Sequence, residues 1–272
     1  MSQRLIIEAG RTERQYWRDL WRYRELFYFL AWRDFLIRYK QTVVGVAWSL
    51  IRPVLTMLVL TMVVKVGKLP PGGVPVPLFV FSAMLPWTFF STAMSESGNS
   101  LVNNANLVSK IYFPRLVVPA SSVLVSLVDF VVSALFMVAL MIYYRFVPPA
   151  QVVFLPFFML LVFAAALGIG LWIAALMVEY RDFRFIVPFV VQFGLYASPV
   201  FLMTSQFPEH WRPLYALNPM VGIIDGFRWS LLGGENLIYG PALVSALVGV
   251  SGVLATGLWY FRRTERTFAD KI

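Results

Sequence analysis

One arginine lies inside a long apolar stretch of this chain. Arg52 shares a helix face with Trp48, one turn before it, and Pro53 follows. A charged side chain within a membrane segment is costly, so Arg52 is a candidate for binding an anionic group such as a phosphate. Two other roles stay open: an ion pair with Asp129 in a later apolar stretch, or extension of the side chain toward the lipid headgroups.

The sequence offers little for covalent catalysis. It contains one histidine, His210, and no cysteine, which excludes His/Cys metal sites of ordinary ligand number. The motifs G-x-S-x-G, H-E-x-x-H and G-x-x-x-x-G-K-[ST] are absent, and the chain therefore has no loop to cradle the phosphates of ATP. Glu209 beside His210 is typical of a solvated loop. We expect no catalytic residue, no metal site and no cofactor bound by this chain.

The composition is that of a membrane protein. The chain is 59% hydrophobic and 14% charged, with a mean hydropathy of +0.72, whereas a soluble domain has about 25% charged residues. The net charge of +9 would suit nucleic acid, but the basic residues cluster near the ends of apolar segments, as in membrane proteins. We expect no signal peptide, because Met1–Lys40 is rich in charges and lacks an apolar core.

Six apolar segments reach, or nearly reach, the roughly 20 residues that a membrane-spanning helix needs. They are Val43–Val64, Leu78–Met94, Leu116–Tyr144, Val152–Val178, Phe185–Pro208 and Ile238–Phe261. The second is short and follows a Pro/Gly-rich turn, so it either spans with tilt or enters only partway. The sequence predicts an all-α integral membrane protein with six transmembrane helices.

An even number of spans places both ends of the chain on one side of the membrane. Seventeen of the 23 Lys and Arg residues fall in the segments that share that side, namely residues 1–42, 95–115, 179–184 and 262–272. Positive charge favours the cytoplasmic side. We therefore predict a cytoplasmic N-terminal region (1–42), a transmembrane domain (43–261) and a cytoplasmic tail (262–272).

Two further segments are predicted to be helical without crossing the membrane. Apolar residues recur at helical spacing from Trp17 to Ala31 with charges between them, which is typical of an amphipathic helix lying along the headgroups. The 13 residues Met220–Leu232 begin after Asn218-Pro219 and end at Gly233-Gly234. Since they are too few to span, we predict a re-entrant or interfacial helix before the last span.

Aromatic residues make up 17% of the chain. Those in or near the spans are candidates for a lining on which sugar rings slide, because sugar–aromatic contact is broad and weakly directional; any one of them can instead pack in the core or against lipid. The candidates are Trp87, Phe89, Phe90, Trp172, Phe193 and Tyr196.

Two loops that are predicted to lie on the cytoplasmic side are candidates for contacting another protein. Ser95–Arg115 is polar and carries two apolar pairs, Leu101-Val102 and Leu107-Val108, as a short helix docking in a groove would. Glu179–Arg184 is charged and could contact the same partner. Both segments are equally compatible with solvated loops.

Five motifs, in order along nearly the whole chain, together resemble the ABC-2 type permeases that export polysaccharides, namely O-antigen, teichoic acid and capsule. They are Arg33-Asp34-x-x-x-Arg38-Tyr39-Lys40-Gln41-x-x-x-Gly45-x-x-Trp48, Asn106-Leu107-Val108-x-Lys110-x-x-Phe113-Pro114, Tyr180-Arg181-Asp182, Tyr196-x-Ser198-Pro199-Val200 and Leu217-Asn218-Pro219-Met220. Each motif is weak alone, but the series is specific to the family.

The resemblance implies a homodimer with its channel at the dimer interface, each copy paired with a separate subunit that binds ATP and Mg. A coupling helix near Asn103–Lys110 would seat in that subunit, and spans one and five would line the path of a glycan on undecaprenyl pyrophosphate. The expected coupling residues are Asn103, Asn106, Leu107, Lys110, Arg181 and Asp182. The expected path residues are Arg38, Lys40, Trp48, Arg52, Trp87, Phe193 and Tyr196.

The function that we expect is ATP-driven export of a lipid-linked polysaccharide, O-antigen foremost, across a bacterial inner membrane. Export of capsule or teichoic acid, or of a drug or lipid, would use the same architecture. An enzyme acting on lipid-linked sugars is an alternative of a different class, and it would be active without ATP or a partner.

Overall fold

A computed structural model describes residues 13–40, 46–67, 73–111, 113–200, 202–234 and 238–271. The regular elements in these ranges are all helical, and no strand occurs among them. The α-helices are α1 (Glu13–Arg22), α2 (Arg24–Lys40), α3 (Val46–Val66), α4 (Val76–Asn103), α5 (Ala105–Lys110), α6 (Val117–Tyr143), α7 (Leu155–Glu179), α8 (Phe183–Tyr196), α9 (Arg212–Tyr215), α10 (Pro219–Leu232), α11 (Gly240–Thr264) and α12 (Phe268–Lys271).

Helix α4 forms the centre of the molecule. It packs against α6, α7 and α10, and most of its side chains are buried. It runs to Asn103, whereas the predicted second span ends at Met94 and a loop follows. The reason is packing against α7: a Cβ at Gly98 would collide with Ile173, and the buried Ser97 faces Gly170. These small residues let the two backbones approach closely, which extends the helix through a polar stretch.

Helices α7 and α11 cross through a second set of small residues. A Cβ added at Gly168 would lie 2.8 Å from the backbone of Leu254, and one at Gly257 would overlap the carbonyl oxygen of Gly168. Small residues at such crossings permit the dense van der Waals contact that holds helices together in lipid. Helix α10 approaches α11 in the same way, with Gly222 against the backbone of Ala242.

Within the described residues, four helical segments are long and apolar enough to cross a membrane: Val76–Asn103, Val117–Tyr143, Ala150–Glu179 and Gly240–Thr267. The chain is thus a membrane protein of several apolar helices. Helix α3 occupies the first predicted span. Helix α8 has 14 residues and ends at Tyr196 rather than at the predicted Pro208. Pro199 has no backbone N–H to donate and so cannot continue the helix. The backbone carbonyls of Val200 and Leu202 accept hydrogen bonds from the Arg228 side chain instead of from a following helical turn.

A second apolar core lies where α1 and α2 meet the segment after α11. This terminal core contains buried residues of α2, α4, α5, α6, α7, α11 and α12 and of the segment between α5 and α6. They include Leu30, Leu101, Val108, Phe113, Leu171, Phe261 and Phe268. The predicted tail 262–272 is therefore largely folded: α11 continues to Thr264, and Phe268 is 1% exposed.

The predicted amphipathic helix is divided into α1 and α2, with a turn at Tyr23. Helix α2 continues past Ala31 to Lys40 and packs against α6. Its Leu30 faces the terminal core, while bulky aromatic side chains of the pair stay exposed. These are Trp17, Trp21, Tyr28, Phe29 and Trp32.

Candidate functional site

A cluster of charged residues joins α2, α4 and α6. Arg38 donates from Nη1 to the Asp129 carboxylate at 2.8 Å, and its Nη2 donates to Glu96. Asp129 lies 91 residues from Arg38 in the chain, near the middle of α6. The planar guanidinium group has donors on both terminal nitrogens and can bond two carboxylates at once. One arginine therefore ties α2 to two helices of the bundle.

Tyr39 completes this cluster. Its hydroxyl donates to the other oxygen of Asp129 at 2.5 Å. Burial, reinforced by the hydrogen bond to Asp129, raises the pKa of Tyr39, which keeps the hydroxyl protonated as a donor. Burial alone would lower the pKa of Arg38, but the charges of Glu96 and Asp129 outweigh it and raise that pKa. Both donors thus hold their protons at any physiological pH.

The same face of α2 reaches the junction between α4 and α5. Arg33 donates to Asp34 at 2.9 and 2.6 Å and to the side-chain oxygen of Asn104 at 2.5 Å. Asn104 is the residue between the two helices, and its amide nitrogen donates to the Ser100 carbonyl at 2.8 Å. Arg33 therefore holds the bend that gives α5 its direction.

A polar cavity of about 530 Å³ lies between these groups. Its wall includes Arg33, Arg38, Asp34 and Glu96, with Asn103 at the end of α4. Counted with Asp129, the cluster opposes two guanidinium groups to three carboxylates. Its net formal charge is therefore −1, so the arrangement is suited to holding helices together rather than to attracting an anion.

Helix α5 presents the expected coupling residues in two ways. Val108 is 2% exposed in the terminal core, and Leu107 packs beside it. Asn106 and Lys110 are exposed, as is Asn103 at the end of α4. The apolar side chains that the sequence offered for docking in a groove thus pack mainly into this chain's own core, and the face of α5 that remains exposed is polar.

The second expected coupling segment is the turn between α7 and α8. Arg181 and Asp182 are both exposed there. Glu179, at the end of α7, accepts a hydrogen bond from Lys271 at 3.0 Å. Since α12 packs against both α5 and α7, this turn and α5 belong to the same end of the molecule.

The expected path residues fall into separate groups. Trp87 is 6% exposed and lines an apolar cavity of about 330 Å³ between α4, α7 and α8. A Cβ at Gly194 would strike its indole ring, so α8 lies directly against Trp87. Phe193 and Tyr196 are each 61% exposed, on the face of α8 that points away from the cavity, and the Phe193 ring packs on the Phe189 ring at 4.6 Å. These two do not line the cavity.

The basic path residues also separate. Arg38 lies in the charged cluster, while Lys40 and Arg52 are exposed, on α2 and α3. Because Arg38 and Tyr39 occupy the Asp129 carboxylate, the predicted alternative of an Arg52–Asp129 pair is wrong. The side chain of Trp48 lies outside the described part of the chain.

Helix α10 carries a buried arginine that sequence reasoning did not assign to a site. Arg228 is fully buried; its guanidinium stacks 3.9 Å over the Phe79 ring and donates to the carbonyls of Val200 and Leu202 at 3.0 and 3.3 Å. Asp225, one turn earlier, accepts from the Thr204 hydroxyl at 2.6 Å. Together they fasten the segment after α8 onto α10.

The sequence analysis also missed Glu96, Tyr39 and Asn104 as members of the charged cluster. One signal was available: a charge in or beside an apolar span needs a partner, and Asp129 and Glu96 are both of that kind. The sequence alone could not identify Arg38 as their common partner. Arg52 also lies in an apolar span and needs a partner by the same rule, so it was an equally suitable candidate.

Comparison with known proteins gives consistent results. Residues 25–232, which include the charged cluster, α5 and α10, match the family described as ABC-2 type transporter. The O-antigen export system permease protein RfbA of Myxococcus xanthus is 31% identical over 261 residues, covering 94% of this chain and 98% of that protein. Two Klebsiella pneumoniae proteins of the same description are 24% and 23% identical, covering 88% and 80% of this chain and 91% and 87% of their own lengths.

Proposed function

Because this chain belongs to the ABC-2 type transporter family, we propose that it is the permease of a system that exports O-antigen across the bacterial inner membrane. The observation that supports O-antigen as the cargo is the match, over 94% of the chain, to a protein described as an O-antigen export permease. The chain is a transporter subunit and not an enzyme, so the alternative of an enzyme acting on lipid-linked sugars is set aside.

The proposed topology has six spans with both termini in the cytoplasm. In the part of the chain that the structure describes, four helices meet the requirements of length and composition, and we assign α3 and α8 to the remaining two crossings. Helix α3 has 21 residues, or about 31 Å at 1.5 Å per residue. Helix α8 is shorter, and its crossing would be completed by the segment fastened to Arg228. The contact of Tyr16 in α1 with Glu265 after α11, at 3.0 Å, supports termini on one side.

In this topology α1 and α2 lie along the cytoplasmic headgroups, and α10 is re-entrant from the outer side. The exposed tryptophans and tyrosine of α1 and α2 support an interfacial position, where aromatic rings with a polar edge are favoured. Burial of α10 between α4, α7 and α11 supports a helix held within the bundle. With 14 residues, it extends about 21 Å and cannot cross the membrane.

The functional assembly that we propose contains two copies of this chain and two ATP-binding subunits. ATP and Mg belong to those subunits, and this chain binds neither. The exposed polar face of α5, with the turn at Arg181 and Asp182, is the proposed docking surface for the ATP-binding subunit. The channel would form between two copies, with exposed faces of α3 and α8 toward it.

The proposed cargo enters from the cytoplasmic leaflet as a glycan on undecaprenyl pyrophosphate. Lys40 and Arg52 are exposed, and so we assign to them the attraction of the pyrophosphate, whose charge a cation near the membrane surface stabilises. Arg38, which the carboxylates already bind, keeps α2 in position. Phe193 and Tyr196 on the outer side of α8, with Trp87 behind it, are the proposed contacts for sugar rings.

The test is surface O-antigen in cells that lack the gene, complemented with variants. We expect the deletion to lose surface glycan and to accumulate lipid-linked glycan in the cytoplasmic leaflet, and wild type to restore export. Arg52→Ala should export about tenfold less, as expected for the loss of a charged hydrogen-bonding group worth about 1.5 kcal/mol. Lys65→Ala, at the other end of α3, is the matched control and should export normally.

Two results would contradict the proposal. Unchanged surface glycan in the deletion would refute the cargo, and export of a drug or lipid would then be the next function to assay. Equal export by the Arg52→Ala and Lys65→Ala variants would remove Arg52 from the path without affecting the assignment of the permease.

A further inference from the structure

The segment after α11 makes specific contacts with distant parts of the chain. Tyr16 in α1 donates to the Glu265 carboxylate at 3.0 Å, and the Arg262 guanidinium lies 4.6 Å from the centre of the Tyr16 ring. Arg115, in the segment between α5 and α6, donates to the backbone carbonyl of Glu265. Two parts of the chain, 249 and 150 residues away in sequence, thus meet at one residue of the C-terminal segment.

Phe268 anchors the same segment in the terminal core. It is 1% exposed and packs edge-on against Phe261 at 5.3 Å. Val108 of α5 belongs to the same buried cluster, and α12 packs directly against α5. Because α5 has only six residues, its own hydrogen bonds stabilise it little, and its orientation depends on packing of this kind.

The last contact reaches the other exposed cytoplasmic turn. Lys271 of α12 donates at 3.0 Å to Glu179 at the end of α7, two residues before Arg181. The C-terminal segment therefore contacts α5 on one side and, on the other, the end of α7 next to the α7–α8 turn. These are the two surfaces proposed above to meet the ATP-binding subunit.

We propose that residues 265–271 form a strut that positions α5 relative to the α7–α8 turn, so that both meet the ATP-binding subunit together. Phe268 is the principal positioning residue, and Tyr16 holds the base of the strut through Glu265. The coupling role of the strut rests on the proposed function. The positioning of α5 by Phe268, the mechanical part of the proposal, does not depend on any cargo.

The mechanical statement can be tested in the purified full-length permease. Since the chain contains no cysteine, Asn106→Cys provides a single attachment site for a nitroxide on the exposed face of α5. We expect Phe268→Ala to raise the mobility of this label and Phe268→Leu to restore most of the order. Thr267→Ala, at an exposed neighbour whose hydroxyl donates to the Thr264 carbonyl of its own turn, is the matched control and should leave the spectrum unchanged.

The coupling role is tested with the ATP-binding subunit added to variants at Phe268 and Tyr16 that keep Asn106 and carry no label. We expect Phe268→Ala to lower export per assembled complex about fivefold or more, the usual size of a coupling effect, while ATP hydrolysis continues. Phe268→Leu should recover export, which a general loss of folding would not explain. Tyr16→Phe, which keeps the ring but removes its hydrogen bond to Glu265, should give a smaller loss.

The outcomes separate the two proposals. An unchanged nitroxide spectrum in the Phe268→Ala variant would overturn the strut, whatever the protein exports. A more mobile label with normal export per complex would overturn the coupling role of the strut. If wild type neither binds an ATP-binding subunit nor supports export, the proposed function fails while the spectra still decide whether Phe268 positions α5.

Discussion

Replacing Arg38 with methionine removes the cation that Glu96 and Asp129 share while keeping a side chain of similar length. The side chains of Arg38 and Asp129 are 27% and 21% exposed, and that of Glu96 is 45% exposed. Losing one partner of a buried pair costs about 3–5 kcal/mol, whereas an exposed pair is worth about 0–1 kcal/mol. The Asp129 contact is closer to the first case and the Glu96 contact to the second.

We therefore expect Arg38→Met to lower the free energy of unfolding by about 2–3 kcal/mol. The assay is denaturant or thermal unfolding of the purified permease in lipid nanodiscs. Lys40→Met, an exposed cation two residues further along α2, should change stability by less than about 0.5 kcal/mol. Arg38→Lys should fall between them, since an ammonium group cannot bond both carboxylates with the geometry of the guanidinium fork.

A double-mutant cycle isolates the pair. Asp129→Asn in the Arg38→Met background removes the unpaired charge and leaves a neutral side chain for the Tyr39 hydroxyl to bond. We expect the double variant to be more stable than Arg38→Met alone, with a coupling of about 1.5 kcal/mol or more. Additive effects, or an Arg38→Met variant as stable as Lys40→Met, would refute the assignment of Arg38 as the tie between α2 and α6.

Three further outcomes are expected. Lys110→Ala should reduce coupled export but leave the permease folded, by ATPase and transport assays of the complex; normal export would exclude a coupling role for this residue. Gly257→Ala should destabilise the fold by about 2 kcal/mol in nanodisc unfolding, because its Cβ would overlap Gly168. Gly252→Ala, which lies in open space on the same helix, is the control. Equal stability of the two variants would contradict the close crossing of α7 and α11. Arg228→Lys should lower the melting temperature, since a single ammonium group cannot both bond the carbonyls after α8 and stack on a ring as the guanidinium does; an unchanged melting temperature would show that this segment is held by other contacts.

Signals that are local in sequence predicted their elements well. The Asn218 side chain accepts a hydrogen bond from the Met220 backbone at 3.0 Å and begins α10, while Gly233 and Gly234 end it with φ of 73° and 100°. A cap or a left-handed glycine acts within a few residues, so the sequence alone specifies where such a helix starts and stops. Long apolar runs are equally local signals. Helix α6 begins and ends within two residues of its predicted span, and α11 begins within two residues of its own but continues to Thr264.

Features that depend on distant partners were decided by the tertiary structure. The extension of α4 to Asn103 depends on α7, the pairing of Asp129 with Arg38 depends on α2, and the folded C-terminal segment depends on the terminal core. Sequence could state that a charge such as Asp129 needs a partner, because an unpaired charge in an apolar setting is costly. It could not choose between Arg38 and Arg52, since that choice depends on which helices pack side by side.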